Sequence, residues 1–207
     1  KNRNLNFFNE DLHLIFYFLF LLAVFFIFFN LNNNFIELFL SLTSSVSNIG
    51  ISLNENSTNL SFIFLILVII GGSFFSTSSG IRFLKIYSLF KYSLNEILSY
   101  SRPKNIYINK HLFSKEFFEQ NEIHKYFLSI IAFVISLFFL SALLSLSGID
   151  FESSFKLSIL TIMNTVNSSM YGLEAFNFHN LSFFSKYCLI LFMIIGRIEL
   201  LTLLIIC

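Results

Sequence analysis

The residues best suited to chemistry in this chain form a small polar run, Ser44-Ser45-Val46-Ser47-Asn48-Ile49-Gly50-Ile51-Ser52. The run closes an apolar segment, Phe35 to Val46, of about a dozen residues. That is too short for a hydrocarbon core of ~30 Å, which takes ~20 helical residues to cross. At membrane depth, irregular backbone survives only where it packs in protein or lines a water-filled cavity. A short helix that enters and stops there turns its partly negative C-terminal end toward the strand that follows, and that end favours a cation. Carbonyls of such a strand can replace the hydration shell of an entering ion. Ser47, Asn48, Ile49 and Gly50 are therefore expected to form one wall of a cation filter, the plainer alternative being an extracellular loop.

The pattern occurs twice. Phe155 to Val166 is again a short, mostly apolar run, followed by Asn167-Ser168-Ser169-Met170-Tyr171-Gly172, so Asn167, Ser168, Ser169 and Met170 are expected to form a second wall. Ser45-Val46-Ser47-Asn48 lies over Thr165-Val166-Asn167-Ser168 at an offset of 120, and Val68-Ile69-Ile70-Gly71 over Met193-Ile194-Ile195-Gly196 at an offset of 125. Longer apolar segments flank each short one: Leu12 to Phe29 and Leu60 to Phe75 in the first half, Tyr126 to Leu146 and Leu181 to Cys207 in the second. The expected fold is an all-α membrane protein made of two span–re-entrant pore helix–filter strand–span units in the same orientation. Residues 1–100 form the first unit and 123–207 the second, and the polar stretch 101–122, which holds the chain's one proline, Pro103, links them.

The second span of the first unit is interrupted by Gly71-Gly72-Ser73-Phe74-Phe75-Ser76-Thr77-Ser78-Ser79-Gly80. Small residues serve tight helix packing in membranes, but four Ser, one Thr and three Gly in ten positions exceed what a packing face needs. The stretch is read as an unwound loop lining a cavity. Arg197, an ionisable residue deep in the last span, is a functional candidate on that ground alone. Glu199 is two residues further on and faces elsewhere on the helix.

Composition agrees. Of 207 residues, 56% are hydrophobic and 12% charged, against about 25% charged in a soluble domain. Mean hydropathy is +0.76, which excludes a soluble globular protein. The 31 Phe residues are read as lipid-facing and packing side chains. Ten of the 13 Lys and Arg precede the first span or lie between the halves, which assigns that side to the cytoplasm and turns the filter strands outward. The first residue is Lys1 and the last, Cys207, falls in an apolar run, so a longer protein is expected. Cys188, Cys207 and the four His have no metal-ligand spacing. No nucleophile–base pair, phosphate loop or carboxylate pair argues for an enzyme, and no cofactor is expected.

These residues resemble the Trk/Ktr/HKT superfamily of potassium transporters, and within it the bacterial TrkH-type subunit, whose chain has four such units. This chain is similar to units three and four. The resemblance is carried by Gly71–Arg82, close to the family's G-G-C-x-G-S-T-x-G-G-I-K, by Gly196-Arg197-Ile198-Glu199, close to G-R-[LI]-E, and by Ser47–Ser52, similar to a filter of the form T-T-G-F-S. It implies potassium uptake across the cell membrane, with K⁺ as the transported ion. It implies gating by the loop that holds Gly71, Gly72, Ser73, Ser76, Thr77, Ser78, Ser79 and Gly80, with Arg197 as a positive barrier facing it. A homodimer with a cytoplasmic nucleotide-binding regulatory subunit is also implied. Set against a fourth filter of the form L-N-N-[IV]-G-P-G, Met170 stands where Gly belongs and Tyr171 where Pro belongs, while Phe75 and Ser79 replace loop glycines. A side chain at the Gly position strains the backbone, so weakened K⁺ selectivity is expected. A poorly selective Na⁺/K⁺ pathway and a decayed, non-conducting membrane scaffold are the alternatives.

Overall fold

The computed structural model describes residues 6–29, 35–51, 61–71, 81–101, 120–165, 169–173 and 178–197. The chain runs α1 (Asn6–Phe29), α2 (Phe35–Val46), α3 (Ser61–Ile69), β1 (Ile70–Gly71), β2 (Ile81–Arg82), α4 (Phe83–Ser101), α5 (Gln120–Leu146), α6 (Phe151–Met163) and α7 (Phe183–Arg197). Single 3₁₀ turns occupy Ser169–Tyr171 and Phe178–Asn180. Apart from β1 and β2, the regular structure described is helical.

Helix lengths separate two classes. At ~1.5 Å per residue, the 24 residues of α1 and the 27 of α5 reach across a bilayer core. The 12 of α2 and 13 of α6 reach little more than halfway. Among the described residues one stretch, Ile123–Leu146 within α5, is both long and apolar enough to cross unaided.

Packing explains why α6 is stable despite its length. α5 buries Phe133, Leu137, Leu140 and Leu144 on one stripe, while Phe127, Ile131, Ile135, Phe138 and Phe139 stay exposed on the others. α7 buries Ser185, Leu189, Phe192 and Gly196 at the same spacing. Both stripes close on α6, which also meets α3. Every residue from Leu157 to Met163 is buried, as in a helix surrounded by other helices of a bundle. Large exposed apolar faces on α1, α5 and α7 leave lipid as their solvent. The chain is an integral membrane protein.

Hydroxyls in the two short helices need no water. In α2, Ser41 donates to Leu38 O, Ser45 to Ser41 O and Ser47 to Thr43 O, at 2.9, 2.7 and 2.6 Å. In α6, Ser158 donates to Ser154 O and Thr161 to Leu157 O, at 2.7 and 2.6 Å. Such back-bonding satisfies a polar side chain inside an apolar bundle.

The apolar segment expected to run to Phe75 ends as a helix at Ile69. It passes instead into a parallel two-residue pairing, Ile70 with Ile81 and Gly71 with Arg82. This pairing sets the two roots of the Ser/Gly-rich loop side by side. Positions 72–80, and with them Gly72, Ser73, Ser76, Thr77, Ser78, Ser79 and Gly80, lie outside the described residues, as does 102–119 of the expected linker.

Candidate functional site

The end of α2 is built by a left-handed residue. Asn48 has φ 59°; its N–H donates to Ser45 O at 3.3 Å and the N–H of Ile49 donates to Ser44 O at 3.0 Å. This double closure satisfies the last carbonyls of a helix and reverses the chain. The strand that follows is pinned by Ile51 N–H donating to Ser44 Oγ at 2.6 Å. Between them Gly50 is buried with φ 78°, an angle glycine takes at no steric cost. Ser47 is exposed, Asn48 buried and Ile49 exposed, so the turn has one face on α3 and the other open.

α6 ends in the same way. Asn164 has φ 54° and ψ 35°, its N–H donates to Thr161 O at 3.1 Å, and Thr165 N–H donates to Leu160 O at 2.9 Å. Bond for bond, Ser44, Ser45, Asn48 and Ile49 correspond to Leu160, Thr161, Asn164 and Thr165, an offset of 116.

That register corrects the sequence pairing at 120. Residues 166–168, which include the expected filter residues Asn167 and Ser168, lie outside the described residues. Ser169 and Met170 stand in a 3₁₀ turn with Tyr171, not in an extended strand. Met170 is 1% exposed and Tyr171 0%, and the turn packs against α3. Met170 is not among the positive-φ residues, whereas Gly172 is, at 71°. The backbone strain expected at Met170 is absent because its φ is not positive, and its side chain is buried in the core. The buried hydroxyl of Tyr171 has no hydrogen-bond partner among the described residues.

Each left-handed asparagine is also tied to the next helix. Asn164 Nδ2 donates to Met193 O on α7 at 3.0 Å. In the amide orientation that satisfies its neighbours, Asn48 Nδ2 donates to Val68 O on α3 at 3.2 Å and to Ser45 O at 3.1 Å. Val68 and Met193 are the first residues of the words that repeat at an offset of 125, so this repeat is a structural one.

Those words end in glycine, and Gly196 shows the reason. A Cβ there would lie 3.0 Å from Ile162 C and 3.2 Å from its Cα, and closer still to Ile162 O. α7 thus touches the backbone of α6 two residues before Asn164. Arg197, next in sequence, is exposed at the level where α6 ends.

Two further groups complete the site. Thr165 is 5% exposed, and its Oγ1 has no hydrogen-bond partner among the described residues. Near the start of α6, Lys156 Nζ donates to Glu152 Oε1, one turn earlier, at 2.6 Å and lies 3.3 Å from the Cβ position of Gly172. The ammonium holds the Glu152 carboxyl below the usual carboxylate range. No group of three His, Cys, Asp or Glu able to hold a metal occurs among the described residues. Sequence reasoning missed Asn164, Thr165 and the acceptor carbonyls of Val68 and Met193, although the repeat at 125 marked the last two.

No family model and no curated protein matches this chain. Among solved structures, the crystal structure of the potassium transporter TrkH from Vibrio parahaemolyticus matches with a TM-score of 0.75 over 93% of this chain, at 21% identity. The chain has the TrkH fold. It spans 42% of the TrkH chain that it matches. The TrkH likeness agrees with the helical architecture and the membrane setting derived above.

Proposed function

We propose that this chain carries potassium, or monovalent cations more broadly, across the cell membrane as part of a longer chain with four such units. α2 and α6 act as pore helices, and the turns that end them are two walls of a carbonyl-lined filter. The first wall is Ser47, Asn48, Ile49 and Gly50; the second begins at Asn164 and Thr165, ahead of Asn167, which the sequence already marked for it. The observation that carries this reading is the twin helix end: two half-length helices, 116 residues apart, close with the same pair of bonds on a left-handed asparagine. Partly negative helix ends and freed carbonyls favour a dehydrated cation. The basic residues between the halves put that side in the cytoplasm and turn the filter strands outward.

The loop 72–80, rooted in the β1–β2 pairing, is the gate of this proposal, and Arg197 is a positive barrier below the filter. Assembly as a homodimer with a cytoplasmic nucleotide-binding regulatory subunit rests on the family resemblance. The two walls are not equivalent. Gly50 takes φ 78°, and the sequence offers no glycine at 164–167 to take such an angle without steric cost. Discrimination between K⁺ and Na⁺ is therefore expected to be weaker than four glycine walls would give.

The test is growth at low potassium of cells that lack their own potassium uptake, complemented by the whole protein that carries this chain. Rescue by the wild type and its loss with Gly50→Val support the proposal. Expression at the membrane with neither rescue nor cation uptake would place the protein with the non-conducting scaffolds.

A further inference from the structure

We infer that Asn48 and Asn164 are positioning residues, each fixing how far its filter wall projects by tying the wall to the helix that follows. This rests on the filter reading above and goes beyond it in naming what sets the geometry. Glycine is the usual residue at a left-handed helix end, and asparagine there carries a side chain whose use has to be found. In both halves that use is the same: the amide donates to a carbonyl of the next helix, Val68 O at 3.2 Å and Met193 O at 3.0 Å. Both acceptors stand three residues before a glycine, Gly71 and Gly196. At Gly196 the missing side chain lets α7 approach the α6 backbone at Ile162. Close approach and amide tie together leave the turn at 164 little freedom to slide along α7. The tie from Asn48 has the same effect along α3, one residue before that helix ends at Ile69.

Asn48→Gly and Asn164→Gly separate the tie from the turn, because glycine keeps the left-handed angle and removes only the amide. Both variants, made in the whole protein and reconstituted in liposomes, are expected to fold and to carry Rb⁺. Their K⁺-over-Na⁺ ratio should fall about tenfold, the factor that ~1.4 kcal/mol of lost coordination represents. Hydrogen exchange of the amides at 164 and 165 should quicken in Asn164→Gly. Asn48→Gln and Asn164→Gln, which keep an amide on a longer stem, should recover neither. Glycine variants with a wild-type ion ratio and wild-type exchange would overturn the inference. A wild type with no alkali-cation flux would remove the filter reading, and the exchange result would then decide the positioning role alone.

Discussion

Alanine at position 196 adds one methyl carbon where the structure has no room for it. The new Cβ would lie 3.0 Å from Ile162 C and 3.2 Å from Ile162 Cα, where ordinary contacts begin near 3.4 Å. Its nearest neighbour, Ile162 O, is backbone and cannot rotate away. Ile162 is itself 1% exposed on a helix packed against α3 and α5, so relief requires α7 to part from α6 by on the order of 1 Å. Overpacking of this kind costs about 1–3 kcal/mol, with rigid backbone at the upper end. The same movement stretches the Asn164–Met193 bond, 3.0 Å in the structure. Taking ~3 kcal/mol and roughly 2–4 °C per kcal/mol for a chain of this size, the melting temperature should fall by about 6–12 °C. Gly148→Ala is the control. Gly148 has φ 92° but nothing within 4 Å of its Cβ position, so it pays only the left-handed strain of ~1–2 kcal/mol. The assay is thermal unfolding of the purified protein in detergent, followed by intrinsic fluorescence. Gly196→Ala melting at or above Gly148→Ala would refute the close-approach argument.

Ser44→Ala removes the acceptor of the 2.6 Å bond from Ile51 N–H; a loss of about 1–3 kcal/mol and faster exchange of the Ile51 amide are expected. Met170→Gly empties a core site that is 1% exposed. It should cost about 2–5 kcal/mol in a melt with the K⁺-over-Na⁺ ratio unchanged, whereas a filter residue would change the ratio. The Glu152 carboxyl is held low by Lys156. The pair's contribution is complete above the ordinary glutamate range and is lost as pH falls through the lowered folded-state value. Glu152→Gln should accordingly be slightly less stable than the wild type at neutral pH, with the two profiles converging as pH falls below about 4.

The half-length helices were legible because length alone separates them from spans: a dozen apolar residues before a hydroxyl-rich turn cannot cross lipid. The end of α2 was legible too, since Ser47, Asn48 and Gly50 interrupt the apolar run. The end of α6 was not. Asn164 is a single polar residue between Met163 and the apolar-looking Thr165-Val166, and one left-handed residue is enough to stop a helix inside such a run. The words at an offset of 120 matched by residue type and missed by four positions, while those at 125 matched because the same amide tie recurs there. Met170 and Tyr171 are large and apolar, as core residues should be, and reading them against a filter motif hid that. The β1–β2 pairing joins residues across the Ser/Gly-rich loop, and nothing in the local pattern of Ile70 or Ile81 announces it.

The most direct measurement is the anomalous X-ray signal of Rb⁺ in crystals of the whole protein. The account expects a peak between the two helix ends, coordinated by carbonyls of residues 48–50 and of 164 and 165. Rb⁺ flux through the protein with no ion at those carbonyls, or with its ordered site elsewhere, would contradict it.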